Sequence, residues 1–159
     1  MKELSKDNQG NYLTETISMA YNYDSIAGDS YKSCDALLIN NNKVVFIEFK
    51  NQPANRRNQL NERELKCDLK LKAIESLLAL FNLLKSNNIT DKFSDMFKIS
   101  KILIVVYSSD KTKLNYSFRD RLDNNSEIKF DLKKYKGTLY NNVITWANDI
   151  FELNIGKLN

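Results

Sequence analysis

The stretch Val44–Lys50, VVFIEFK, is β-branched or aromatic at every position except Glu48 and Lys50. Such side chains suit a pleated, half-buried surface, so the stretch predicts a strand. Just upstream, Asp35–Ile39 (DALLI) predicts a second strand. Asn40, Asn41 and Asn42 separate the two, and Asn tolerates the left-handed conformation of a tight turn. The pair therefore reads as a hairpin. Alternation puts Val44, Phe46, Glu48, Lys50 and Gln52 on one face, with Val45, Ile47 and Phe49 on the other. Folding back at the turn brings Asp35 to the height of Glu48, near the open end. A carboxylate and an ammonium on a strand built for burial are costly unless they are paired, put to use, or solvated at the strand end.

Beyond the hairpin, Pro53 ends the strand. Leu65, Leu69, Ala73, Leu77, Leu80, Phe81 and Leu84 recur every three or four residues and predict a long amphipathic helix. Its second half is apolar nearly all round, as in a central buried helix. Ile102–Tyr107 (ILIVVY) is an unbroken apolar run, the pattern of a strand covered on both faces. Thr14–Asn22 (TETISMAYN) spaces Ile17, Ala20 and Tyr21 as a helix would, with Thr14 as its cap. The polar segment 23–33 reads as a loop with room for a short strand. Segment 128–132 reads as a further strand. Val143–Leu153 (VITWANDIFEL) reads as a closing helix with Trp146 and Ile150 on one face. The order is helix, hairpin, long helix, strand, irregular segment, helix, which predicts an α/β fold: a small mixed sheet flanked by helices. A length of 159 residues suits one domain over 1–159.

Composition removes several chemistries. There is no His, which excludes Ser-His-Asp triads, Cys-His dyads and His-ligated zinc. Catalysis would rest on carboxylates, Lys, Tyr, Ser or a bound metal. The 24 basic and 20 acidic residues leave a net charge of +4, which permits a polyanionic partner without demanding one. Cys34 and Cys67 are far apart with no CxxC context, and read as reduced thiols of a cytosolic protein. No apolar run reaches the roughly 20 residues that span a bilayer, and the first ten residues carry no apolar export signal. No membrane association is expected, and the expected site of action is the cytoplasm.

Asp35, then Glu48 and Lys50, supply two carboxylates and one ammonium. Mg²⁺ takes one or two carboxylates and fills its remaining positions with water and phosphate oxygens. A nearby Lys offsets charge developing on the phosphate. These are requirements for His-free phosphodiester hydrolysis. The pattern SCDALLI…VVFIEFKNQ resembles the PD-(D/E)xK nuclease superfamily, whose signature is an Asp opening one hairpin strand and a Glu-x-Lys or Asp-x-Lys on its partner. The resemblance covers about residues 12–107 and implies a restriction-endonuclease-like αβββαβ core, with 108–159 as a C-terminal elaboration. Cys34 stands where the nominal Pro would be, and the usual first strand is weakly marked.

The resemblance implies Asp35 and Glu48 as ligands of Mg²⁺, with Mn²⁺ as the substitute, and Lys50 as the catalytic lysine. Glu15 matches the Glu that many members carry on the first helix, although a Glu near a helix start also simply favours the dipole. Gln52 matches a polar residue that some branches keep after the lysine; it also fits a plain turn before Pro53. Arg56, Arg57, Arg63, Lys66, Lys70 and Lys72 form the densest basic stretch. The first five are the expected phosphate contacts, against the alternative of a solvated helix face. Lys129, Lys133, Lys134 and Lys136, with Tyr135 and Tyr140, form a second basic segment, read as an exposed edge ahead of a nucleic-acid contact.

The implied function is a Mg²⁺-dependent nuclease acting on DNA ahead of RNA. The settings open to it are phage defence, mobile elements, repair and toxin domains. Such settings leave open an inhibitor or immunity partner, a homodimer, and delivery within a larger secreted toxin. The competing reading is a catalytically inactive binding or inhibitor module on the same fold.

Overall fold

The computed structural model describes residues 1–6, 12–14, 19–40, 43–53, 59–87, 89, 98–108 and 131–158, with side chains described for all of these except 51–53 and 59–62. Strands β1 (Tyr21–Asn22), β2 (Ala36–Asn40), β3 (Lys43–Pro53), β4 (Ser100–Ser108) and β5 (Asn142–Ala147) form one mixed sheet in that order. Helix α1 (Tyr23–Ala27) follows β1, α2 (Gln59–Ser86) links β3 to β4, and α3 (Asn148–Asn154) follows β5. The β1–β2–β3 portion is antiparallel, whereas β3, β4 and β5 run parallel. The fold is thus mixed α/β, a five-stranded sheet flanked by helices.

Alternation along β3 sorts the core into two layers. Val44 and Phe46 point toward α2, packing with Leu69, Ala73, Leu77 and Leu80 of that helix and with Leu103 and Val105 of β4. Val45 and Ile47 point the other way, toward Ile104, Val106 and the α3 residue Phe151. The N-terminal segment helps close this second face through Met1 and Leu13. It is tied to α3 by Thr14, whose Oγ1 donates to Glu152 Oε1 at 2.9 Å.

Helix α2 is fixed by more than its apolar row. The Tyr23 hydroxyl donates to the Ser76 carbonyl at 2.7 Å, and the Tyr140 hydroxyl donates to the Ala73 carbonyl at 2.6 Å. Both rings pack edge-on against Phe46, with centroids at 5.6 and 5.7 Å. Tyr135 and Tyr140 are buried core residues, and among the described residues of the second basic segment Lys133, Lys134 and Lys136 are on view. Lys129 lies outside the described residues.

Several expectations are corrected. Tyr21 and Asn22 extend the sheet, opposite Leu37 and Ala36, where the sequence pattern suggests the end of a helix; 15–18 lie outside the described residues. The helix begins only at Tyr23, where the Asn22 side chain accepts the Ser25 N–H, and Gly28 closes it at φ 74°, a left-handed conformation that suits glycine. The expected closing helix over 143–153 is half strand: 142–147 pair with β4 and alternate in burial, and only then does α3 begin. Trp146 and Ile150 consequently join opposite core layers. Of the residues expected to end a strand, Asp131 lies in a turn at φ 55° and Leu132 caps the short 3-10 helix Lys133–Tyr135; 128–130 lie outside the described residues. Helix α2 is not buried all round, because Leu71, Ile74 and Leu78 are exposed. No helix among the described residues is long and apolar enough to cross a membrane.

Both cysteines are free, Cys34 buried and Cys67 exposed. Burial raises the Cys34 thiol pKa, and the nearby Glu48 charge adds to that. A thiol reagent at pH 8 should therefore titrate Cys67 rapidly in the native protein and Cys34 only after denaturation. Two fast-reacting thiols in the folded state would contradict this packing.

Candidate functional site

The β2–β3 register builds the site. Ala36 lies opposite Ile47, so one further step along the hairpin sets Asp35 across from Glu48. The segment leading to Asp35 is laced to α2 and to the start of α1. The Lys32 N–H donates to Glu75 Oε2 at 2.6 Å, and the Cys34 N–H donates to Ser76 Oγ at 2.9 Å. The Asp35 carbonyl accepts the Tyr23 N–H at 3.1 Å. The Asp35 side chain is then aimed by β3, because its Oδ2 accepts the Phe49 N–H at 2.6 Å.

Glu48 is 1% exposed, and its carboxylate meets two ammonium groups. Lys50 Nζ lies 2.8 Å from Glu48 Oε1, and Lys72 Nζ lies 3.0 Å from both Oε1 and Oε2. Lys72 also reaches Asp35 Oδ1 at 3.5 Å, so one ammonium bridges the two carboxylates. Lys50 continues to Asp68 Oδ2 at 2.8 Å, and Lys32 stands 3.6 Å from Asp68 Oδ1 at the rim. Only Oε2 of Glu48 receives an aligned hydrogen bond; Oε1 faces its two ammonium neighbours at ion-pair distance without one. Three carboxylates thus face three lysines, so the formal charges balance when Glu48 is ionised.

Burial dominates the protonation pattern. It pushes the Glu48 carboxyl up to about 7, with the Asp35 charge acting in the same direction and the two lysines opposing. Asp35 is raised as well by burial, against the pull of Lys72 and the Phe49 amide. For Lys72, burial alone would lower the pKa, but the Glu48 and Asp35 carboxylates outweigh it and hold the ammonium charged. Lys50 is likewise held charged, by Glu48 and Asp68 against burial.

Asp35, Glu48 and Lys50 are therefore brought together. The register of β3 against β4 shifts between Lys50 and Pro53, and the Gln52 side chain lies outside the described residues. Glu15, Arg56 and Arg57 also lie outside them. Arg63 is exposed on α2, Lys66 is half-buried, and Lys70 is tied to Asp131 in an ion pair.

Sequence reasoning missed Asp68 as a site residue and placed Lys72 in a basic stretch. Both sit on α2 at a spacing of four, each one position before a member of the buried row Leu69–Ala73–Leu77. That offset turns them toward the strand end carrying Glu48 and Lys50. The signal is a charged pair flanking an apolar stripe.

The donor set fits a hard cation. Two carboxylates converge on one point that already holds a positive charge, the Lys72 ammonium, and the available donors are oxygens. Among the described residues no cluster of three or more Cys, Asp or Glu side chains is arranged to hold a metal. Asp35 and Glu48 could offer a cation two carboxylates, and Mg²⁺ accepts one or two alongside water and phosphate oxygens. No protein-family model, no curated protein sequence and no solved structure matches this chain.

Proposed function

We propose that this protein is a divalent-metal-dependent phosphodiester hydrolase of the PD-(D/E)xK type, acting on nucleic acid with DNA ahead of RNA. The observation that carries the reading is the convergence of Asp35 and Glu48 on one cationic point, with Lys50 2.8 Å from Glu48. The reading is supported by the order of hairpin, packed helix and parallel strand, which is compatible with a restriction-endonuclease-like core.

Asp35 and Glu48 would hold Mg²⁺ or Mn²⁺. The bound cation supplies Lewis acidity toward the phosphate and lowers the pKa of a water. Lys50, kept charged by Glu48 and Asp68, acts as a fixed positive charge beside the reacting phosphate and not as a base. Asp68 sets the position of the Lys50 ammonium. The hydrogen bond from the Phe49 amide leaves Asp35 Oδ1 as the oxygen turned to the cation position, where Lys72 meets it now. With Glu48 ionised the cluster's formal charges balance, so an added divalent charge favours an anionic ligand beside it.

A specific observation favours a second reading. Glu48 is almost wholly buried and already neutralised by two lysines, as in a structural charge network that gives an inactive binding module its shape. One experiment separates the two. The purified chain is incubated with supercoiled plasmid, linear duplex, single-stranded DNA and RNA in Mg²⁺ or Mn²⁺. Cleavage of at least one substrate is expected, abolished by EDTA and restored by excess metal. Full cleavage in excess chelator, or none with either metal, would overturn the hydrolase reading.

A further inference from the structure

We infer that Lys72 is an internal counter-cation that holds the Asp35–Glu48 pair in the absence of metal and must leave it for a divalent ion to bind. This rests on the reading of those two carboxylates as the metal pair. The Lys72 ammonium lies 3.0 Å from both oxygens of Glu48, a straddling position that a chelated cation would claim. Its contact with Asp35 Oδ1 at 3.5 Å completes the bridge. A second positive ion cannot share that point, because it would stand within a few ångströms of the ammonium in a site where Glu48 is 1% exposed.

The surroundings permit the exchange. Lys72 has a flexible four-carbon stem, and its side chain keeps 18% exposure. Lys50 is differently placed. It is anchored to Asp68 as well as Glu48, so it stays when Lys72 leaves. The two lysines therefore divide the work: one fixed, one displaceable. A displaced Lys72 emerges beside Lys32 and the Asp68 rim, where a nucleic-acid phosphate would receive it. Metal loading and polyanion binding then reinforce each other, and the reinforcement is reciprocal.

The test is Mn²⁺ binding to the full chain by calorimetry without nucleic acid. Lys72→Met, close in length and uncharged, is expected to tighten Mn²⁺ binding at least about tenfold, the scale on which groups contacting metal ligands move affinity. Adding Asp35→Asn to that variant should remove the gain. Unchanged or weaker binding in folded Lys72→Met, with Asp35→Asn still abolishing it, would overturn the competition while leaving the metal pair in place. Absence of Mn²⁺ binding in both wild type and Lys72→Met would overturn the metal pair and the inference with it. Should Lys72→Met not fold, Lys72→Gln serves the same purpose. The wild-type chain offers a further check by lysine ¹⁵Nζ spectroscopy. On Mg²⁺ addition the Lys72 ammonium should lose its protected, ion-paired signal while that of Lys50 persists. A Lys72 signal unaltered at saturating Mg²⁺ would refute the exchange.

Discussion

Glu48→Gln should reduce single-turnover cleavage by roughly 10³-fold, about 4 kcal/mol of transition-state stabilisation at about 1.4 kcal/mol per tenfold, while the protein stays folded. Gln keeps the shape of Glu48 but offers the cation a neutral amide. The fold should survive because neither lysine loses every partner: Lys50 retains Asp68 at 2.8 Å and Lys72 retains Asp35 at 3.5 Å. Truncation to Ala would be harsher, since removing one partner from a buried charge pair costs about 3–5 kcal/mol. Asp35→Asn should lose a comparable share of rate, provided its amide oxygen keeps the Phe49 N–H. The pH profile follows from the same burial. Metal requires the deprotonated carboxylate, and burial pushes the metal-free Glu48 carboxyl up to about 7, so at subsaturating Mg²⁺ wild-type cleavage should climb as pH rises through about 7 and level off above it. Rapid-quench assays at saturating Mg²⁺, paired with thermal melts, check the rate loss, and a pH series at subsaturating Mg²⁺ checks the profile. A folded Glu48→Gln protein cleaving at the wild-type rate would remove Glu48 from the site.

The hairpin and the meeting of Asp35 with Glu48 were legible because both strands are continuous in sequence and only two residues separate the Asn40–Lys43 pair. Asp35 opposite Glu48 follows from that register with no tertiary information. Strand β5 was not legible for a definite reason. Val143, Trp146 and Ile150 recur at helical spacing, and α3 follows the strand at once, so two elements counterfeit one helix. The β-branched run Val143, Ile144 and Thr145 was the contrary signal, and pairing with β4 decided in its favour. Helix α1 was hidden by its polarity, since it buries Tyr23 alone. Lys72 and Asp68 were visible as charges on a helix. Their role depends on the rotation and height of α2 against β3, which Tyr23 and Tyr140 set through bonds spanning 53 and 67 residues of sequence.

That dependence makes Phe46 the core position to which the site should be most sensitive. Its ring is wholly buried between Tyr23 and Tyr140, the two residues whose hydroxyls hold α2 by its backbone. Phe46→Ala removes the edge-on contacts and leaves a cavity between sheet and helix, at a cost of about 3–5 kcal/mol. Against a total stability of about 5–15 kcal/mol this is a large fraction. For a chain of this size each kcal/mol shifts the melting temperature by about 2–4 °C, so a drop of roughly 10 °C is expected. The effect should reach the chemistry before the protein melts. Phe46 and Glu48 share a face of β3 two residues apart, and α2 carries the Asp68 and Lys72 that pair with that face. A helix that settles into the cavity shifts both against Glu48 and Lys50, and a misplacement of about 1 Å can cost roughly 10²-fold in rate. Cleavage should therefore fall well below wild type at temperatures where circular dichroism still reports a folded variant. A Phe46→Ala protein that melts within about 2 °C of wild type would show that the tyrosine clamp, and with it the placement of α2 over the site, does not depend on this ring.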